Sequence, residues 1–331
     1  MVKLRTKRSS GKEGIKEKVE AIQSEVGKVI VGQEEMIEGI IIALLSDGHI
    51  LLEGYPGLGK TVAVKTVARV LDAKFQRVQF TPDLIPGDIT GFEIYDPETK
   101  KSRVQKGPVF TNVLLADEIN RAPAKVQSAL LEAMQEKQVT IGRASYPLEK
   151  LFLVLATQNP IEISGTYVLP EAEIDRFMFK LNVCYPSYGD ERVIAERQAL
   201  DVEAALSTLL KPEEVLSLRH MITEWLPLRE TAPIVKYITR LVRATRPEEN
   251  NGALGNLVMY GASPRATIAL AKASRVYAFI HGDDCILPEH VQKMAYPVLR
   301  HRIILTHAAE SQGIDSDDII EKILSRIPRI E

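Results

Sequence analysis

Three short, wholly apolar runs mark the first half of the chain: Ile50–Leu52, Val113–Ala116 and Leu151–Ala156. Apolar runs of this length, bounded by turn-forming residues, are typical of strands buried on both faces, as in a parallel sheet. Two more mixed segments, Arg77–Phe80 and Phe177–Val183, complete the set of predicted strands. Because segments of helical periodicity alternate with these strands, the pattern predicts an α/β fold.

Helical periodicity also precedes the first strand. Apolar residues recur there every three or four positions in two groups, which predicts two amphipathic helices. The groups are Ile15, Val19, Ile22 and Val26, followed by Met36, Ile37, Ile40, Ile41 and Leu44. Two stretches that alternate around turn residues, at 92–104 and 139–148, predict hairpins that project from the sheet.

The turn-rich stretch Pro186–Asp190 separates this α/β part from a second part with a different pattern. Beyond it, apolar residues keep helical spacing almost throughout, as at Ile234, Ile238 and Leu241. We therefore predict three regions: a disordered basic tail at 1–11, an α/β core at 12–186 and a helical domain at 187–331.

The octapeptide Gly54-Tyr55-Pro56-Gly57-Leu58-Gly59-Lys60-Thr61 fits the phosphate-loop pattern G-x-x-x-x-G-K-[ST] at every fixed position. It follows an apolar run and precedes helical periodicity, which is the strand, loop and helix context that the motif requires. Glycines let successive backbone N–H groups approach phosphate oxygens. We expect Lys60 to contact the β- and γ-phosphates and the Thr61 hydroxyl to bind Mg²⁺.

Two adjacent carboxylates, Asp117 and Glu118, end the next apolar run. Ligands bind where the strands of an open parallel sheet end. Asp117 would hold Mg²⁺ through its waters, and Glu118 would orient and deprotonate an attacking water. An acidic pair after a strand is common, so this interpretation depends on the phosphate loop upstream.

Two further polar residues each allow two interpretations. Asn159, at the end of the run that begins at Leu151, either caps the turn before Pro160 or holds the attacking water or the γ-phosphate. Arg176 is either an ordinary ion-pair partner of Asp175 or a finger that neutralises charge developing on the transferred phosphoryl group.

Basic residues in the helical region raise separate expectations. Ser263 and Pro264 predict a helix start, with Ser263 as the cap. Arg265 would then lie at a helix N-terminus, where the dipole disfavours a cation, so we expect an anion near it. The cluster Arg300-His301-Arg302 is interpreted as a solvated helix face.

Composition excludes several classes of protein. With 331 residues and a net charge of −2, the chain has no overall electrostatic attraction to nucleic acid or membranes. Cys184 and Cys285 are far apart and outside any Cys/His cluster, which argues against a disulfide framework or a zinc site. The N-terminus lacks the apolar core of a signal peptide, and no stretch approaches the roughly 20 apolar residues of a membrane span. We expect a cytoplasmic protein.

The motifs together resemble those of AAA+ ATPases, and the residues within them are similar to those of the MoxR family. The segments that carry the resemblance, beside the phosphate loop, are Asp117-Glu118-Ile119-Asn120-Arg121-Ala122-Pro123, Ala156-Thr157-Gln158-Asn159-Pro160, Leu169-Pro170-Glu171-Ala172, Asp175-Arg176-Phe177 and Gly261-Ala262-Ser263-Pro264-Arg265. This resemblance implies an AAA+ phosphate-loop core with a parallel sheet and two hairpin inserts, followed by an all-helical lid.

The resemblance also implies roles for individual residues. Gly54–Thr61 corresponds to Walker A and Asp117-Glu118 to Walker B, while Asn159 is similar to sensor 1, Arg265 to sensor 2 and Arg176 to the arginine finger. The implied catalytic residues are Lys60, Glu118, Asn159, Arg176 and Arg265. The implied metal-binding residues are Thr61 and Asp117. The implied nucleotide contacts are Val31, Gly32, Gly54, Tyr55, Pro56, Gly57, Leu58, Gly59, Lys60, Thr61 and Val62.

MoxR proteins form rings, usually hexamers, with ATP and Mg²⁺ at subunit junctions and Arg176 acting on the neighbour's nucleotide. They are chaperone-like and help to mature partners or insert metal into them, among them von Willebrand A domain proteins. Two alternatives remain open. In the first, the chain is a nucleic-acid motor, and the basic hairpin residues Lys100, Lys101 and Arg103 are compatible with that function. In the second, it is a switch that binds ATP without hydrolysing it.

Overall fold

A computed structural model of the protein describes residues 16–98, 100–160, 165–199, 204–226, 232–249 and 254–328. The predicted tail at 1–11 lies outside the described residues. The described chain begins with the predicted pair of amphipathic helices, α1 over residues 16–27 and α2 (Glu34–Ser46). Their predicted apolar faces are buried, as at Val19, Ile22 and Ile40.

The core is a five-stranded parallel sheet. Its strands are, in spatial order, β2 (Phe75–Gln79), β5 (Val113–Asp117), β8 (Leu153–Gln158), β1 (Ile50–Gly54) and β9 (Phe179–Val183). The three inner strands are the wholly apolar runs, as expected for strands covered on both faces. The outermost strand β2 is more polar and more exposed, which explains its mixed sequence.

Side chains along each inner strand alternate between two apolar clusters. In β1, Ile50 and Leu52 belong to one cluster and Leu51 belongs to the other. The first cluster includes α1, α2 and α3 (Lys60–Val70), and the second includes α5 (Ala124–Glu136). Burying both faces of the sheet holds the ends of its strands in one line.

Both predicted hairpins are present, as β3 (Gly91–Asp96) with β4 (Lys101–Lys106) and β6 (Gln138–Ile141) with β7 (Ala144–Pro147). The turn-rich segment before β3 also contains a short helix, α4 (Pro86–Thr90), that periodicity does not reveal. Pro86 occupies its first turn and the Asp88 carboxylate accepts a hydrogen bond from Ile85 N at 2.9 Å. Two more short helical turns, Ile119–Arg121 and α6 (Glu171–Ile174), follow strand ends.

The second half of the chain is helical, as predicted, with one exception. Its helices are α7 (Tyr188–Ala199), α8 (Pro212–Trp225), α9 (Ala232–Ala244), α10 (Pro264–Ile280), α11 (Pro288–Leu299), α12 (His307–Ser311) and α13 (Ser316–Arg326). A two-stranded ribbon, β10 (Val258–Tyr260) with β11 (Ile304–Leu305), corrects the expectation of an all-helical lid. Strands of two and three residues are too short to show a period in the sequence.

The sheet and the lid share one apolar core. The last core strand ends at Val183 and α7 begins at Tyr188, while the predicted boundary at residue 186 stays a prediction. Helix α2 packs against α8 and α10 of the lid, and the first apolar cluster includes Ile40 of α2 and Leu270 of α10. The lid is therefore attached to the core through the apolar cluster that contains α2.

His49, directly before β1, is buried between the sheet and α5. Its Nδ1 accepts a hydrogen bond from Val154 N at 3.0 Å, and its Nε2 faces Met134 O at 3.4 Å. The ring also packs edge-on against Phe152. Burial lowers the pKa of His49 to about 4, so the neutral form fills this position at neutral pH.

We expect His49 to make the fold sensitive to acid. The unfolded chain binds a proton below its ordinary pKa of 6.5 and the folded chain only below about 4, so stability falls as the pH drops between these values. The loss amounts to roughly 3 kcal/mol. Urea unfolding at several pH values between 7 and 4 measures this loss, and the free energy of unfolding should fall less steeply with pH in His49→Gln. An unchanged dependence on pH in that variant would contradict the role of His49.

Candidate active site

A cleft of about 400 Å³ lies at the carboxyl ends of β1, β5 and β8. It is lined by Pro56, Gly57, Leu58, Gly59, Lys60, Thr61, Val62, Arg77, Gln79, Asp117, Glu118, Thr157, Gln158 and Asn159. The structure thus brings together most residues of the predicted phosphate loop, both predicted carboxylates and Asn159. The predicted sequence order of strand, loop and helix puts them at one edge of the sheet.

The phosphate loop leaves the end of β1 and enters α3 at Lys60. Gly57 and Gly59 have φ of 82° and 76°, the left-handed region that glycine adopts without steric cost. No other atom lies within 4 Å of where a Cβ would stand on either residue, so the backbone is open to a ligand. The free N–H groups of the first turn of α3 face this opening, which suits an anion.

Lys60 lies in the cleft with its ammonium next to the loop. Its Nζ donates a hydrogen bond to Gly54 O. Burial lowers the pKa of Lys60, while the negative charges of Asp117, Glu118 and Glu53 act in the opposite direction. A cation in a partly desolvated cleft interacts more strongly with a phosphate than one in water does.

Thr157 joins the ends of two strands at the carboxylates. Its Oγ1 donates to Asp117 Oδ1 at 2.6 Å and accepts from Glu118 N at 2.8 Å. Glu118 has φ of 56°, an uncommon conformation for a residue other than glycine. The hydroxyl therefore fixes the Asp117 carboxylate and the Glu118 backbone at the end of β5, a role that was not predicted for Thr157.

The edge strand β2 supplies two partners that the sequence analysis missed. Arg77 donates to Asp117 Oδ2 from Nη2 at 2.7 Å and from Nε at 3.1 Å. Gln79 Nε2 donates to Glu118 Oε2 at 2.8 Å, and Arg121 Nε lies 3.1 Å from the same oxygen. The signal in the sequence is their spacing, because residues two apart on a strand share a face. Both carboxylates are thus held before any ligand binds.

The donor set fits Mg²⁺. The residues that line the cleft include Thr61, which carries a hydroxyl, and Asp117, which carries a carboxylate, and Mg²⁺ takes oxygen ligands from one or two protein groups together with substrate phosphates. Among the described residues, no group of three or more His, Cys, Asp or Glu side chains could hold a metal alone. The metal would therefore bind together with a nucleotide.

Val31 and Gly32, two of the implied nucleotide contacts, are not among the residues that line this cleft. Gly32, next to Val31, has φ of 72°, and a Cβ there would stand 2.7 Å from an Asp190 carboxylate oxygen, so a larger residue would not fit without a shift. The Tyr55 ring stacks on Tyr185 with 5.3 Å between ring centroids. Binding of the nucleotide by Val31, Gly32 and Tyr55 stays a prediction.

Arg176 and Arg265 lie in a second hollow of about 270 Å³, not in the phosphate-loop cleft of their own chain. This second hollow is lined by Asp47, Gly48, His49, Met134, Gln135, Lys137, Asp175, Arg176, Met178, Arg265, Ile268, Ala269, Lys272 and Arg302. The five predicted catalytic residues are thus divided: three line the cleft and two share the second hollow. No single chain brings all five together.

The surroundings of Arg265 agree with the sequence analysis. Ser263 Oγ caps α10 by accepting from Arg265 N at 3.1 Å, as predicted. The expected anion near Arg265 is Asp175, whose Oδ2 lies 3.7 Å from Arg265 Nη1. Asp175 is bonded to lid residues, so the interpretation of Arg176 as its ion-pair partner is not supported.

The interpretation of Arg300-His301-Arg302 as a solvated face is wrong. His301 and Arg302 are only 8% and 6% exposed, and Arg300 pairs with Asp317 at 2.8 Å. Helix α11 ends at Leu299, and the chain then turns inward toward the start of β9. Because these residues lie beyond the helix end, helical periodicity does not determine which way they face.

Comparison with known proteins identifies the fold and the family. The model of the ATPase family associated with various cellular activities matches residues 49–179, and the AAA lid domain matches 256–323. Chaperone MoxR1 of Mycobacterium tuberculosis is 44% identical over 96% of this chain and 84% of its own length. The chain belongs to the MoxR family of AAA ATPases.

Two further relatives agree with this assignment. Protein MoxR of Methylorubrum extorquens is 30% identical over 92% of this chain and 93% of its own length. A solved crystal structure from Cytophaga hutchinsonii is 44% identical, has a TM-score of 0.89 and covers 100% of this chain and 99% of that one. The predicted AAA+ fold and MoxR resemblance are confirmed. In the part of the chain that the structure describes, no helix is long and apolar enough to cross a membrane.

Loss of the Lys60 charge should weaken nucleotide binding. We expect Lys60→Ala to raise the Kd for ATP with Mg²⁺ by about 10- to 100-fold, since a hydrogen bond to a charged group contributes about 1.5–3 kcal/mol. Lys65→Ala is the matched control, because Lys65 lies on the exposed face of the same helix. Titration with a fluorescent ATP analogue measures both. Equal affinities of the two variants would refute the role of Lys60.

Proposed function

We propose that this chain hydrolyses ATP to ADP and phosphate at sites formed between neighbouring copies in a ring, and uses the energy to remodel a protein client. The observation that supports hydrolysis most directly is the position of Glu118. Its carboxylate lines the cleft with the phosphate loop and is held there by Gln79 and Arg121, while Thr157 holds the Glu118 backbone N–H. A protein that only bound ATP would not need a carboxylate at this position.

The residues of the cleft supply the parts of a phosphoryl-transfer site. Lys60 and the loop amides would hold the β- and γ-phosphates, and Asn159, which lines the cleft directly after β8, would contact the γ-phosphate or the attacking water. Mg²⁺ bound by Thr61 and Asp117 would neutralise charge on the phosphate oxygens. Glu118, whose carboxylate keeps acceptor capacity beside its bond from Gln79, accepts the proton of the water. Positioning and charge neutralisation do most of the work.

The second hollow supplies the remaining charges to another copy. Arg176 and Arg265 do not line their own chain's cleft, and with Lys272 they form a cationic surface. Among the described residues, the arginine that lines the cleft, Arg77, is paired with Asp117 and is therefore not free to act as a finger for the charge that would develop on the γ-phosphate. A ring in which each hollow faces the next cleft satisfies both requirements, and a closed ring uses the same interface throughout. We propose a hexamer, the ring expected of this family.

The client function rests on the family. One relative is named a chaperone, and we propose the same class of activity here, with maturation of a partner or insertion of a metal into it as the outcome. The client is a protein, with von Willebrand A domain proteins as the first candidates, and the setting is the cytoplasm. The exposed apolar residues of the β3–β4 hairpin, Phe92 and Tyr95, offer a contact surface for such a client.

We expect Glu118→Gln to keep ATP binding and lose turnover, because the amide preserves shape but cannot accept the proton. The rate of phosphate release should fall by about 100-fold or more. Glu213→Gln, on an exposed position of α8, is the control and should hydrolyse normally. Wild-type turnover in Glu118→Gln would refute the base assignment, and absence of turnover in the wild type would favour the non-hydrolysing switch. Stimulation by DNA would favour the nucleic-acid motor.

Arg176→Ala should abolish hydrolysis in uniform rings and regain part of it in rings mixed with Glu118→Gln. Each Arg176→Ala subunit keeps an intact cleft, and a Glu118→Gln neighbour still presents an intact finger. Steady-state phosphate release at several mixing ratios measures the effect, with an expected loss of about 1000-fold in the uniform variant. No recovery in mixtures that still assemble would exclude action of Arg176 on a neighbour.

A further inference from the structure

Arg302 is a buried lid arginine that contacts the segment carrying Arg176. Its Nε donates to Asp175 Oδ1 at 2.7 Å, and its Nη2 donates to Asp175 O at 3.0 Å and Phe177 O at 2.6 Å. Its Nη1 donates to Met178 O at 3.1 Å and also to Val298 O, within the lid. One guanidinium therefore holds the chain on both sides of Arg176.

Burial of the Arg302 charge costs free energy and requires several well-placed hydrogen-bond acceptors. The Arg302 side chain is 3% exposed, and burial lowers its pKa while the Asp175 carboxylate opposes that shift. A buried charge is tolerated when its donors are all used in good geometry, and the planar fork of arginine matches several acceptors at once. His301, the preceding residue, adds a contact between its Nε2 and Phe177 O at 3.0 Å. Lid side chains thus bond the backbone on each side of the finger.

Asp175 connects these contacts to the start of α10. Its Oδ2 accepts from Ser263 Oγ at 2.9 Å, the hydroxyl that also caps α10, and lies 3.7 Å from Arg265 Nη1. Asp175 thus accepts hydrogen bonds from two parts of the lid, the start of α10 and the segment after α11. A shift of α10 or of the segment after α11 would move Asp175, and Arg176 would move with it because it is the next residue in the chain.

Arg176 itself has few contacts of its own. Its Nη1 donates to Leu131 O at 3.2 Å, and its buried Nε has no hydrogen-bond partner among the described residues. The direction of its side chain therefore depends mainly on the backbone between residues 175 and 178. That backbone is the part held by Arg302.

We propose that Arg302 is a positioning residue for Arg176, acting through a lid clasp made of Arg302, Asp175 and Ser263. The clasp couples the lid to the finger that a subunit presents to its neighbour's γ-phosphate, so lid movement in one subunit changes hydrolysis in the next. This inference rests on the proposed function. It adds Arg302, a lid residue outside the phosphate loop and the acidic pair, to the residues that turnover requires.

Mixed rings test the direction in which Arg302 acts. Arg302→Lys keeps the charge and loses the fork, and uniform rings of it should bind ATP normally with turnover reduced about tenfold or more. Mixing with Glu118→Gln should restore part of the turnover, because that partner has an intact finger. Mixing with Arg176→Ala should restore none, because both partners then have defective fingers. Arg275→Lys, in a partly buried lid arginine away from the clasp, is the matched control and should behave as wild type.

The reverse pattern would overturn the proposal. If Arg302 supports its own chain's cleft, Arg302→Lys keeps a working finger and is rescued by Arg176→Ala, not by Glu118→Gln. Unchanged turnover in Arg302→Lys would overturn it as well. Should Arg302→Lys fail to assemble, Ser263→Gly removes the hydroxyl bond to Asp175 at a cap position where glycine is tolerated, and it should give the same pattern with a loss of about two- to fivefold. Failure of Arg176→Ala with Glu118→Gln to complement would instead reject the shared site itself.

Discussion

The functional geometry depends on one constraint, the burial of three adjacent parallel strands on both faces. Because β1, β5 and β8 pack into apolar clusters above and below, their carboxyl ends are fixed side by side. The phosphate loop leaves the first, the two carboxylates end the second and Asn159 follows the third. The hydroxyl of Thr157 then connects two of these ends with bonds of 2.6 and 2.8 Å. Bonds from Arg77 and Gln79 of the edge strand complete the preorganisation of the two carboxylates.

The same constraint leaves the catalytic set incomplete within one chain. The sheet presents a cleft with one ammonium, two carboxylates and open loop amides, and the lid and α5 present a separate cationic hollow. Arg302 connects the lid to that hollow through the backbone around Arg176. A subunit thus offers a phosphate site in one place and the charges for such a site in another. This division makes assembly a condition for catalysis in our account.

Local patterns predicted the elements but not their neighbours. Apolar runs and the phosphate-loop motif were sufficient for the strands, the hairpins and the cleft, since each depends on residues close in sequence. Arg77 and Gln79 were missed because nothing local shows that the edge strand β2 lies beside β5. Arg302 was misread as solvated because its acceptors around Arg176 lie more than 120 residues away. The short helix α4 was read as turns because proline and glycine are typical of both turns and helix starts.

The most direct measurement of the central claim is turnover per subunit as the protein is diluted. Steady-state phosphate release is followed at saturating ATP and Mg²⁺, while light scattering reports the assembly state and a fluorescent nucleotide reports binding. If the hydrolytic site needs charges from a second copy, turnover per subunit falls with dissociation while nucleotide stays bound to the separated chains. Constant turnover per subunit in fully dissociated chains would contradict the account.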